Sequence, residues 1–145
     1  LPQGIFQGML LRRLYLDNNQ LTTLPQGIFQ RQDWLELLHL DNNQLTTLPE
    51  GIFQGLNALQ QLLLDNNRLT TLPQEIFQGL NSLWQLGLGN NQLTTLPQGI
   101  FQGLHLQQLH LDNNRLTTLP QGIFQGLALK YLNFEHNPLS TGVTH

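Results

Sequence analysis

A mostly β solenoid of the α/β class, with one short strand in each coil, is the fold class the sequence predicts, and three observations predict it. The phrase Leu-Pro-x-x-Ile-Phe-Gln returns at Leu1, Leu24, Leu48, Leu72, Leu96 and Leu119, in steps of 23, 24, 24, 24 and 23 residues. Ahead of each return, leucines alternate with other residues at the period of a half-buried strand. An Asn closes each of these runs at a constant offset. Periods in this range mark coils that cannot bury their own apolar face and must stack on their neighbours. The 145 residues therefore read as one domain of six repeats, 1–23, 24–47, 48–71, 72–95, 96–118 and 119–145.

The repeat from Leu59 onward shows what each element does. Leu62 and Leu64 alternate with Gln61, Leu63 and Asp65, so a short strand turns its leucines inward, and strands of successive coils stack in parallel. Asn67 and its counterparts Asn19, Asn43, Asn91, Asn114 and Asn137 fall where the strand bends away. A bend of this kind strands backbone N–H and C=O groups, and an inward carboxamide can satisfy both kinds, so these six residues are expected to form a structural ladder. Leu69 and Leu72 continue inward, and Pro73 then fixes φ and opens a tight turn that carries Ile76 and Phe77 back underneath. Phe77 with Phe6, Phe29, Phe53, Phe101 and Phe124 predicts a stacked aromatic column. Glu75 and Arg31 stand where other repeats carry Gly, which argues that neither backbone position demands positive φ, so short turns or 3-10 segments are expected on this side.

Composition narrows the partners. Six basic and nine acidic residues give a net charge of -3, which provides no basic field for nucleic acid or an anionic membrane surface. No apolar run approaches the roughly 18 residues of a membrane span, so no direct insertion is expected. Leu1 lies inside a repeat, which places any signal peptide outside these residues. Cysteine is absent, which removes disulfides, thiol catalysis and cysteine metal sites.

The string Leu-x-x-Leu-x-Leu-x-x-Asn-x-Leu followed by Leu-Pro-x-Gly-Ile-Phe resembles the typical 24-residue leucine-rich repeat. It is similar to the repeats of Toll-like receptors, small proteoglycans and variable lymphocyte receptors, over about residues 1 to 139. The resemblance implies a right-handed horseshoe with a parallel sheet on its concave face, an extracellular or secreted setting, and recognition of an innate-immune or adhesive kind. Such proteins usually seal both ends with cysteine-rich caps, and this sequence contains no cysteine.

Individuality is concentrated on the outward strand positions. Leu-Thr-Thr-Leu-Pro is unchanged in five copies, whereas the first outward column reads Arg13, Leu37, Gln61, Gln85, Gln108, Tyr131 and the second Tyr15, His39, Leu63, Gly87, His110, Asn133. The flanking column reads Arg12, Glu36, Gln60, Trp84, Gln107, Lys130. Variation on one face of a fixed scaffold is what a ligand-binding array shows, although drift at exposed sites also produces it. The expected site is Arg13, Tyr15, Leu37, His39, Leu63, Gln85, Gln108, His110 and Tyr131, with Trp84 at the rim and Gly87 opening a central dip. A protein or a glycan could use such a surface; the alternative is a structural or assembly scaffold with no dedicated ligand.

A third column, Asp17, Asp41, Asp65, Gly89, Asp112 and Glu135, stacks like charges about 4.8 Å apart. Either a basic ligand or cation compensates them, or they accept turn N–H groups and are solvated. No loop gathers the six or more oxygens that calcium requires, and His39 and His110 lie three repeats apart, about 14 Å, so no metal or cofactor is expected. Ser82 and Ser140 have no base arranged near them, and His110 with Asp112 has no nucleophile, so no catalytic residue and no enzymatic activity are expected. At the ends, Ile5, Phe6, Leu14 and Leu16 on one side and Leu132, Phe134 and Leu139 on the other would be partly uncovered, which favours edge-mediated association of copies.

Overall fold

Each alternating leucine run forms a strand of three residues: β1 (Arg13–Tyr15), β2 (Leu37–His39), β3 (Gln61–Leu63), β4 (Gln85–Gly87), β5 (Gln108–His110) and β6 (Tyr131–Asn133). They pair in parallel, in chain order, as one six-stranded sheet. The structure, a computed structural model, describes residues 1–139, and among these the return segments are turns with no helix. The coils form a solenoid, with the sheet along one side and the turns along the other.

The central residue of each strand sets the register and the core. Leu38, Leu62, Leu86 and Leu109 are opposed in adjacent strands and fully buried. Sealing one such side chain from water contributes about 1.5–3 kcal/mol. Behind the leucines lie the phenylalanines, with rings stacked nearly parallel for Phe29 on Phe53 at 6.3 Å, Phe77 on Phe101 at 6.5 Å and Phe101 on Phe124 at 6.3 Å.

Two tight turns shape each return segment, and the two glycine replacements behave differently in them. Ile76 N–H donates to Pro73 O while Glu75 keeps an ordinary φ, although Gly51 and Gly99 in the matching turns take φ of 77° and 74°. Arg31, contrary to the sequence expectation, has φ of 65°. The turn closes through Gln32 N–H to Phe29 O, and the next residue is anchored inside, so the backbone has no room to relax. Gln32 stands where other repeats carry Leu56, Leu80 and Leu104, yet it is buried, donating from Nε2 to Phe6 O and accepting Leu11 N–H at Oε1. It stitches the second coil to the first.

A left-handed conformation costs a residue with a Cβ about 1–2 kcal/mol, and part of any relief is lost to the freer unfolded chain of glycine. Arg31→Gly is therefore expected to stabilise the chain by up to about 1 kcal/mol, raising the melting temperature by about 2–4 °C. An unchanged or lower midpoint in thermal unfolding would show that contacts of Arg31 offset the strain.

At the ends, Phe6, Leu14 and Phe134 are buried rather than partly uncovered, whereas Leu16, Leu132 and Leu139 are half-buried and Ile5 is exposed. Leu14 lies opposite Leu38 in the register, and the Phe134 ring packs edge-on against Phe124 at 6.4 Å.

Candidate functional site

The outward columns lie in register across the whole sheet, because a three-residue strand presents its first and third side chains on the same face. Arg13, Leu37, Gln61, Gln85, Gln108 and Tyr131 are successive partners, as are Tyr15, His39, Leu63, Gly87, His110 and Asn133. Leu37, Leu63, Gln85 and Gln108 are half-buried, whereas Tyr15 at 57% and Tyr131 at 47% stand clear of the surface. Two aromatic pairs form. The Tyr15 ring meets His39 edge-on at 5.0 Å, and His110 lies against Tyr131 at 5.0 Å. Five strand spacings, about 24 Å, separate Arg13 and Tyr15 from Tyr131, so the predicted set forms a strip with an aromatic pair at each end rather than one cluster. Trp84 is half-buried at the flank, its carbonyl accepting Gln107 N–H and Gln108 N–H.

The middle of the strip differs from expectation. Gly87 and Gly89 are buried, and a Cβ on Gly87 would collide with Asp65 Oδ1. Asp65 leans across β4 and accepts Gly89 N–H at Oδ2, 3.0 Å away. The dip foreseen at Gly87 is thus filled by the chain's own carboxylate. Burial pushes the Asp65 carboxyl above the usual range, and the Gly89 N–H bond and the nearby His110 only partly oppose this. Other members of the acidic column are held differently: Asp17, Asp41 and Asp112 each accept the side-chain amide of the Asn that follows, Asn18, Asn42 and Asn113. Those asparagines sit at φ of 58°, 57° and 56°, a conformation Asn tolerates better than most residues.

One residue further on, the ladder asparagine bonds between coils in five of the six repeats. Asn67 Nδ2 donates to Leu64 O and, in the preceding coil, to Leu40 O, while Oδ1 accepts Leu45 N–H. Asn43, Asn91, Asn114 and Asn137 repeat the pattern, whereas Asn19 donates only to Leu16 O and Asp17 O of its own coil.

Two features escaped the sequence. Trp34 is 57% exposed where the next repeats place Ala58 and Ser82; the Arg12 guanidinium lies 5.9 Å from its ring and 3.7 Å from Glu36. An aromatic residue at an otherwise small position was the available signal. The other is a grouping across β1 and β2: ligand atoms of Asp17, His39 and Asp41 lie within 4.8 Å of one another. Reading each column separately hid it.

Ser82 Oγ donates to Asn57 O, and Ser140 lies outside the described residues. Between the turns on the opposite side runs a groove of about 630 Å³, lined by residues including Glu50, Gln54, Glu75 and Gln78. No helix among the described residues is long and apolar enough to cross a membrane.

The leucine rich repeat model matches residues 10–69, 59–116 and 105–143. Among solved structures, a leucine-rich-repeat protein of Leptospira interrogans, LIC12759, is 41% identical, with a TM-score of 0.78 over 90% of this chain and 33% of its own. The leucine-rich repeat domain of APL1B is 29% identical, with a TM-score of 0.85 over 97% of this chain and 40% of its own. The Toll–Spatzle complex, from Drosophila development and innate immunity, contains a chain 34% identical, with a TM-score of 0.89 over 96% of this chain and 19% of that one. The chain thus spans less than half the length of each of these structures. Comparison with curated proteins gave no match.

Proposed function

The chain belongs to the leucine-rich repeat family, whose members generally act as non-enzymatic protein-interaction modules, and from that premise we propose that it binds a protein ligand across the face of its sheet, without catalysis. The observation that carries the reading is the register, which turns residues far apart in sequence into one preorganised strip. Its floor is fixed by buried leucines, so little ordering is lost on binding. Tyr15 and Tyr131 offer large contact areas with few rotors, and Arg13 offers forked donors. The proposed contacts are Arg13, Tyr15, Leu37, His39, Leu63, Gln85, Gln108, His110 and Tyr131, with Trp84 at the rim. The Toll–Spatzle complex supports a protein rather than a glycan as the ligand class. An extracellular, immune-type role and the typical 24-residue subtype belong to the same reading.

Screening the purified chain against arrays of secreted proteins and of glycans tests the ligand class. With a ligand in hand, Tyr15→Ala, His39→Ala and Tyr131→Ala should each weaken binding by about 1–3 kcal/mol, while Gln30→Ala, Gln54→Ala and Gln102→Ala on the turn side should change it little. The reverse pattern in calorimetry would move the site to the other face, and capture by glycans alone would replace the ligand class.

A further inference from the structure

We propose that Asp17, His39 and Asp41 form a binding site for one divalent transition-metal ion of the zinc type, held across β1 and β2. Three ligand-bearing side chains converge, with one ligand atom from each lying within 4.8 Å of the others. A tetrahedral zinc site places ligands at about 2.0–2.2 Å from the ion, so modest side-chain rotation closes the set.

A second observation singles this cluster out from the rest of the acidic column. Among the described residues, His39 Nε2 and Asp41 Oδ1 are buried polar atoms with no hydrogen-bond partner. Groups of that kind are costly unless something satisfies them, and a cation coordinated by lone pairs would satisfy both together. The other Asp41 oxygen is engaged by Asn42 Nδ2 at 3.0 Å, and Asp17 Oδ2 by Asn18 Nδ2 at 2.8 Å. Such outer partners orient first ligands and support metal affinity. The Tyr15 ring set edge-on against His39 restrains the imidazole further.

The array contains its own controls. The pattern needs a carboxylate on one strand, then His and Asp on the next. At β5, His110 and Asp112 are present but the preceding position is Gly89, and although Asp65 reaches over β4 toward them, these three do not bring ligand atoms within 4.8 Å of one another; at β3, Asp41 and Asp65 flank Leu63 instead of His. Among the described residues, only the first strand pair brings all three together. One imidazole nitrogen with two carboxylates suits zinc-like ions better than calcium or magnesium, which favour oxygen alone. Three protein ligands also leave a position open toward the face of the sheet.

The proposal does not rest on the protein-binding reading, and its test uses the chain alone, without an affinity tag. Titration of the full chain with Zn2+ in a calorimeter is expected to show one saturable site with Kd below about 0.1 mM, and no comparable site for Ca2+. His39→Gln and Asp41→Asn should each weaken it about tenfold or more, whereas His110→Gln should leave it unchanged. Asp17→Asn provides the same test from β1 if a β2 variant melts early. Absence of saturable binding up to about 1 mM, equal affinity for Ca2+, or equal loss in His110→Gln would overturn the assignment.

Discussion

Replacing Phe77 by alanine is expected to destabilise the chain by about 3–5 kcal/mol, the range for removing a fully buried aromatic side chain from a packed interior. Phe77 is completely buried and stacks on Phe101 at 6.5 Å, with coils on both sides to hold the cavity open. The same change at Phe124, which is half-buried, should cost distinctly less. Denaturant midpoints of the two variants measure the difference. Because neighbouring coils supply most of each coil's stability, the Phe77 variant should also unfold over a broader transition, as its flanks uncouple. A loss under about 1 kcal/mol would show that the neighbouring leucines collapse into the space.

Asn67→Ala should cost about as much, by a different route. Its amide satisfies Leu40 O, Leu64 O and Leu45 N–H, each at 3.0 Å and each buried. Each group left without a partner costs about 1–3 kcal/mol, so a total of about 3–5 kcal/mol is expected after partial relaxation. Asn19→Ala is the comparison, because Asn19 is exposed and serves only its own coil, and it should cost less than about 1 kcal/mol. Equal midpoints for the two variants in urea would remove the bonds between coils as the explanation.

The periodic residues made most of the fold legible. Leu62, Phe77 and Asn67 recur at nearly fixed intervals because every coil solves the same packing and hydrogen-bonding problem, and the register of the outward columns follows from that. What stayed hidden is where one coil departs from its neighbours. Arg31 reads as evidence against a left-handed turn, yet the turn persists because its closing bond and the anchored Gln32 outweigh the local strain. Gly87 reads as an opening, but a gap in one coil was filled by Asp65 from the previous one. The approach of Asp17 to His39 is likewise a diagonal relation, one strand over and two residues along, to which column-by-column reading is blind.

The phenylalanine column has a geometric consequence for what the sheet can hold. In the three stacked pairs the rings lie 6.3–6.5 Å apart, whereas parallel strands repeat every 4.8 Å or so, leaving the coils that carry them roughly 1.5–1.7 Å thicker at the rings than at the sheet. Coils shaped as wedges build an arch, and its angle grows with each one added. Ring size at a single position is then a dial on curvature: smaller side chains along the column would flatten the arch, and the radius of the surface it can embrace would widen accordingly.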